Sequence, residues 1–189
     1  MTLIRTVGPT AEPVTLAEMK LNMRLDHDTD DDLIGGLIRA AREDVERSTG
    51  LALIDQNWRL VLDRWPRNGC ATIPVYPVRE ILSVTAYGAE GEACLIDPAT
   101  YLADTVSRPA RLHFEASPRT LRALNGIEID FVAGYGEAGV DVPDLLKRAI
   151  ALLVLHWYEF RTAFGPDDQP VSYPQVYERM IAPFRARRL

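Results

Sequence analysis

Gly134-Tyr135-Gly136-Glu137-Ala138-Gly139 is a literal GxGxxG run behind a strand-like segment, the arrangement that brings backbone N–H groups to a dinucleotide pyrophosphate. That chemistry needs a helix that begins inside the glycine run. Here Val140-Asp141-Val142 intervene, Pro143 sets the helix start late, and Glu137 occupies the place of the anion. No strand follows Phe160, so a parallel βαβ unit cannot be completed, and the run reads as a strand-to-helix turn. The acidic run Asp26-His27-Asp28-Thr29-Asp30-Asp31-Asp32 invites a calcium loop, but Asp31 stands where such a loop needs glycine and Leu37 where it needs glutamate. It reads instead as a helix cap with a solvated acidic face, or as a contact surface between subunits. His27, His113 and His156 are scattered, and none has a second histidine or a cysteine at ligand spacing. His156 beside Trp157 on an apolar helix reads as a packed, hydrogen-bonded residue. The serines Ser48, Ser83, Ser107, Ser117 and Ser172 lack a nucleophile elbow or a neighbouring base. No catalytic, cofactor or metal residue is assigned, and the chain reads as non-enzymatic.

The elements around these residues carry more information than the residues do. Thr15-Leu16-Ala17-Glu18 fits a capping box, in which the threonine oxygen accepts the Glu18 N–H and Glu18 reaches back. Thr29 with Asp32 is expected to open a second helix in the same way, with the clustered carboxylates complementing the helix dipole. That helix carries Leu33, Ile34, Leu37, Ile38, Ala41 and Val45 at near-helical spacing, and Gly50 supplies a left-handed stop. The period then changes. Strands are expected from Trp58 to Asp63, at Ala71 to Ile73 with Val75-Tyr76, from Val78 to Tyr87, from Ala93 to Ile96, at Tyr101-Leu102, from Arg111 to Phe114 and from Ile127 to Ala133. Pro74 and Pro77 mark an edge strand. In the last strand Ile127, Ile129 and Phe131 face one way, Glu128 and Asp130 the other. Helical period returns at Pro143, with Leu146, Ala149, Ile150, Leu153, Val154, Trp157 and Phe160 as a core face. After a loop with Gly165, Pro166 and Pro170, Ser172-Tyr173-Pro174-Gln175 reads as a capping box for a terminal helix, which Pro183 is expected to kink.

The order helices, strands, helices defines an α+β fold: an N-terminal helix pair, a long C-terminal core helix and a terminal helix, with a β-rich insertion. We read a single domain with a helical part over 1–56, the insertion over 57–142 and a second helical part over 143–189. The chain has 189 residues, 47% hydrophobic and 25% charged, enough for a core without staples. A net charge of −6 disfavours a protein that coats nucleic acid. Cys70 and Cys94 lack a CxxC pair and are expected to be buried free thiols, as in a reduced cytoplasm. Met1-Thr2-Leu3-Ile4-Arg5 lacks the apolar core of a signal peptide, and the longest apolar run, Ala149 to Leu155, is far too short for a bilayer. Synthesis and folding in the cytoplasm, with no membrane partner, is the expectation.

The ordered set Pro13-Val14-Thr15-Leu16-Ala17-Glu18, Leu25-Asp26, Asp31-Asp32-Leu33-Ile34, Ala40-Ala41-Arg42-Glu43 and Thr49-Gly50 resembles the N-terminal signature of tailed-phage head–tail connector proteins, found also in prophages and gene transfer particles. Trp58, Trp65-Pro66, Ile73-Pro74-Val75-Tyr76-Pro77-Val78, Ala133-Gly134-Tyr135-Gly136 and Val142-Pro143 extend the resemblance to long members with a β-rich insertion, from about Pro13 to Pro183. The resemblance implies a structural subunit of a dodecameric ring beneath the portal protein, joined on its other side to a stopper or tail-completion protein. DNA would pass through the ring without sequence-specific binding. It also implies a location in the neck of the virion or phage-like particle after cytoplasmic assembly.

The resemblance implies that the C-terminal helix is the portal contact, through Tyr173, Tyr177, Met180, Phe184, Arg185, Arg187 and Arg188; its tyrosines and arginines are residue types that anchor interfaces. Docking of this helix on its own core, or nucleic-acid contact by the arginines, are the alternatives. The resemblance also implies an inter-subunit contact on Asp30, Asp31, Asp32, Arg39, Arg42, Glu43 and Arg47; the acidic Asp30–Asp32 end and the arginine end of the C-terminal helix have opposite charge, which suits head-to-tail contacts that close into rings. Rival readings are another neck component, a stopper or tail-completion protein, which should be mostly β; a small enzyme assembled from distant residues; and a scaffold unrelated to phage.

Overall fold

The computed structural model describes residues 1–115, 121–160 and 174–185. It holds eight strands and four α-helices among these residues, in an α+β arrangement. They divide into two compact units: a sheet unit of Met1–Thr10 with Asp55–Tyr135, and a helical unit of Ala11–Ile54 with Gly136–Leu189.

In the sheet unit β1 (Thr2–Val7), β2 (Gln56–Leu62), β8 (Ile127–Ala133), β4 (Val78–Tyr87) and β5 (Ala93–Leu95) form one antiparallel sheet in that order. A second sheet has β7 (Ala110–Phe114) between β3 (Cys70–Ile73) and β6 (Tyr101–Asp104). Period-two burial is plainest on β8, where Ile127, Ile129, Phe131 and Ala133 are buried and Glu128 and Asp130 are not, as the alternation requires. Leu60 opposite Ile129, with Val84 and Ala86, completes that core face. On the opposite face Arg59 donates to Asp130 through two nitrogens at 2.8 and 3.0 Å and lies 3.0 Å from Glu128. Ser83 also donates to Asp130, and the Tyr87 hydroxyl donates to Glu128. Burial and the Glu128 carboxylate raise the Tyr87 pKa. Pro74 and Pro77 do accompany an edge: among the described residues β3 pairs only with β7. The strand at Thr2–Val7 has no counterpart in the sequence reading, and Cys70 and Cys94 are half-buried free thiols rather than buried ones.

In the helical unit α1 (Leu16–Met23), α2 (Asp31–Thr49), α3 (Asp144–Phe160) and α4 (Gln175–Ile181) pack together, with α2 and α3 the central pair. Met19 of α1, Ile34, Ile38, Ala41 and Val45 of α2, Leu146, Ala149, Ile150, Leu153 and Val154 of α3, and Tyr177 and Ile181 of α4 are buried. The expected face of α2 is narrower than its apolar residues suggest, for Leu33 is 42% exposed. Phe160 likewise is exposed at the end of α3, where its ring meets His156 at 4.7 Å. Among the described residues no helix is long and apolar enough to cross a membrane.

The Thr15–Glu18 capping box forms in full, and the two hydrogen bonds from Thr15 to Glu18 lower the Glu18 pKa. Gly50 closes α2 at φ 72°, as expected of a left-handed stop. The second expected capping box does not form. Asp30, not Thr29, is the N-cap and makes no side-chain cap bond. With Asp30 as N-cap a box on Thr29 and Asp32 is out of register; Asp30 accepts from the Tyr158 hydroxyl of α3 at 2.5 Å, and Asp31 from Lys20 of α1 at 2.8 Å. Pro174, not Ser172, is the N-cap of α4, and Ser172 and Tyr173 lie outside the described residues. Pro183 ends α4 in a 3-10 turn, Ala182–Phe184, rather than kinking a longer helix. A proline there offers no N–H with which to continue the ladder.

The glycine run is packed, not cradling. A Cβ on Gly134 would lie 2.6 Å from the Asp55 Cα, and one on Gly139 would lie 2.7 Å from the Pro13 carbonyl oxygen. Asp141 folds back to accept the Ala138 N–H at 3.2 Å, and the first full helix begins only at Asp144. The glycines therefore serve close backbone approach and a turn.

Candidate assembly surfaces

Long side chains on α2 divide into those satisfied internally and those left to solvent. Arg42 is 3% exposed. Its guanidinium meets Glu12 at 2.8 Å, Glu46 at 2.7 Å and Glu43 at 3.5 Å. Burial works against its charge, but Glu46 and Glu12 outweigh burial and raise its pKa. Glu46 also accepts the Leu53 N–H at 2.9 Å, so the arginine holds both the segment before α1 and the chain leaving α2. Asp44, also buried, accepts from the Tyr177 hydroxyl at 2.6 Å and from Arg47 at 2.5 Å. Asp31 and Asp28 both bind Lys20, whose pKa rises through those two hydrogen bonds.

Of the residues expected to meet a neighbouring subunit, Asp32, Arg39, Glu43 and Arg47 are exposed on α2. Asp30 and Asp31 are half-buried and tie α2 to α3 and α1. Arg42 is enclosed by its carboxylates. Of the expected portal residues, Tyr177 is 1% exposed and belongs to the helical core. Met180 and Phe184 are half-buried, and Arg185 is exposed with Glu178 2.7 Å away. Tyr173, Arg187 and Arg188 lie outside the described residues. Sequence reasoning did not find the Arg42 enclosure; the i,i+4 pair with Glu46 was visible, but Glu12 is thirty positions upstream. Neither did it find the Tyr177–Asp44 bond, which joins residues 133 positions apart. Among the described residues no group of three or more histidine, cysteine, aspartate or glutamate side chains is placed to hold a metal ion.

The expected contact residues thus divide between exposed surface and helical core among the described residues, and comparison with known proteins bears on their role. Residues 13–87 match the model of the phage gp6-like head-tail connector protein family. Three solved structures match the whole chain, each with 97% of its own chain covered. The first is from the neck of an empty gene transfer agent (GTA) particle computed with C6 symmetry, 25% identical with a TM-score of 0.83. The second is from the virion of a native gene transfer agent particle, 24% identical at 0.83, and shares the fold. The third is from the neck of a native GTA particle computed with C12 symmetry, 25% identical at 0.73. No curated protein sequence matches.

Proposed function

Taking as premise that the chain is a head–tail connector protein of a phage-like particle, a structural subunit of its neck, we propose that its copies form a ring against the portal and pass the DNA-filled head on to a stopper or tail-completion protein. The observation that carries this reading is likeness over the full chain, at 25% identity, to proteins in particle necks averaged with C6 and C12 symmetry. Twelve copies about one axis accommodate both symmetries. Copies related by such an axis meet through unlike surfaces, head to tail.

The exposed residues of α2, Asp32, Arg39, Glu43 and Arg47, mix both charges and suit such a contact. The portal side falls to the exposed side of α4 and the residues beyond it: Met180, Phe184 and Arg185, with Tyr173, Arg187 and Arg188. Tyr177 acts indirectly, since its buried hydroxyl bond to Asp44 fixes the roll of α4 on α2. The work done is fit, not turnover: subunits bury surface on assembly and leave a pore. A net charge of −6 suits a pore through which phosphates must slide. Assembly in the cytoplasm and residence in the particle neck follow from that role.

The test is co-sedimentation with the cognate portal protein. Deleting all of α4 would remove Tyr177 and Ile181 from the core, so the informative variant is Phe184→Ser with Arg185→Ser in the full chain. Binding by the natural chain and at least tenfold weaker binding by the variant, at unchanged helicity, is the expected result. Undiminished binding by the variant would remove the C-terminal segment from the portal contact.

A further inference from the structure

Three arginines of the sheet unit lack what three others have. Arg59, Arg79 and Arg111 each lie within 3.1 Å of a carboxylate, on Asp130, Asp55 and Asp104. Arg64, Arg67 and Arg122 form no ion pair with any described residue. Two loops bring these three to one end of the five-stranded sheet, where Leu62 closes β2 opposite Ile127 at the start of β8. Both loops are fixed. The Asp63 carboxylate accepts the Asn125 N–H at 3.0 Å, which ties the loop before β8 to the end of β2. Arg122 lies 4.1 Å over the Tyr87 ring and donates to the Asn125 carbonyl through Nε at 2.8 Å and Nη2 at 2.6 Å. Arg64 and Arg122 line one open recess of about 450 Å³. Arg67 stands on a turn closed by the Gly69 N–H on the Pro66 carbonyl at 2.9 Å, with Gly69 at φ 68°. Arg64, Arg67 and the neighbouring Asn68 are exposed.

A guanidinium held by a carboxylate has little left for another anion. One without that partner keeps its fork of donors, and the fork matches phosphate. Backbone fixed in advance lowers the cost of ordering such a contact. A protein partner would need an apolar core at this end, and Leu124 is the one large apolar side chain exposed on the described parts of the two loops. We propose that this end of the sheet unit faces the pore of the ring, and that Arg64, Arg67 and Arg122 contact the phosphates of DNA in transit. The proposal rests on the ring reading above. The chain carries a net charge of −6, so attraction for the duplex concentrates at this level. Phosphate contacts carry no sequence information, so the duplex is steadied and not read.

Assemblies of the full chain on its portal are mixed with a short blunt duplex, and binding is measured between about 50 and about 200 mM salt. Arg64→Ser with Arg67→Ser should weaken binding by about tenfold at the low end and make it less sensitive to salt, because fewer counterions are released. Arg24→Ser with Arg148→Ser removes the same charge from two exposed arginines of the helical unit that also form no ion pair with a described residue, and should weaken binding less than about twofold. Equal loss in both variants would reduce the effect to net charge and overturn the assignment. So would binding that the sheet-unit pair leaves unchanged, or assemblies that bind no more duplex than portal alone. If that pair instead costs the assembly its tail-completion protein while duplex binding holds, the arginines belong to a protein contact and the DNA assignment fails. Absence of any ring, by ultracentrifugation of the natural chain with portal, would overturn the ring reading and this proposal with it. A photoreactive label on Arg67→Cys, in a Cys70→Ser and Cys94→Ser background in DNA-filled particles, gives a direct check. Adducts with DNA about tenfold above those from the same label on Arg148→Cys are expected, and adducts with protein alone reject the contact.

Discussion

Arg42 in the helical unit and Arg59 in the sheet unit each hold several carboxylates, yet the two sites do different work. The Arg42 side chain is 4% exposed, with Glu46 at 10% and Glu12 at 26%; the Arg59 side chain is 39% exposed, with Glu128 at 16% and Asp130 at 22%. Charges enclosed this way cost a great deal if one partner is lost, because the others stay desolvated. Charges near water cost little, because water and salt replace the partner. The helical unit thus encloses Arg42 and Asp44, whose bonds to Glu12, Glu46 and Tyr177 fix neighbouring segments on α2. The sheet unit keeps its Arg59 cluster on a face closer to water.

Six substitutions can break or sharpen that contrast, the first paired with its exposed counterpart Arg59→Ala and the rest running from the largest effect to the smallest. Arg42→Ala should destabilise the chain by about 3–5 kcal/mol, as expected for a broken buried ion pair, and denaturant unfolding at pH 7 measures it. Arg59→Ala in the same assay should cost no more than about 1 kcal/mol and lose that effect in high salt. Equal costs for the two arginines would erase the distinction. Tyr177→Phe should cost about 1–3 kcal/mol, because buried Asp44 loses one of its donors.

Thr15→Ala should cost about 1 kcal/mol by removing the cap of α1. Its partner Glu18 titrates below its ordinary value, so the cap's carboxylate contribution is complete above pH about 4.5 and is lost as pH falls through the lower folded value. The melting-temperature gap between the natural chain and Glu18→Gln should therefore be open at pH 7 and close on acidification. The smallest change in stability, within about 0.5 kcal/mol, belongs to Ile4→Ser on the exposed β1.

Much of this fold was legible in the sequence wherever the signal was local. The Val78–Tyr87 and Ile127–Ala133 strands declare themselves by β-branched content and alternation, and Thr15-Leu16-Ala17-Glu18 contains its whole capping argument within four residues. Thr29–Asp32 offered the same local pattern and misled: the helix begins at Asp31 with Asp30 as its N-cap, one residue out of register with a box on Thr29 and Asp32. β1 escaped notice because its residues do not alternate apolar with polar, although Thr2, Ile4, Thr6 and Val7 are all β-branched. Tyr177 illustrates the same limit for the assembly surfaces. A tyrosine on an amphipathic terminal helix suits an interface and a core equally, and only the position of Asp44 places it in the core.

The central claim is that this chain is a ring-forming wedge of a particle neck. An averaged map of the necks of assembled particles, with the chain tagged at a surface loop such as Glu90-Gly91, tests it most directly. A closed ring of tagged subunits between portal and tail is the expected result. Intact, tail-bearing particles whose necks lack the tag density would contradict it.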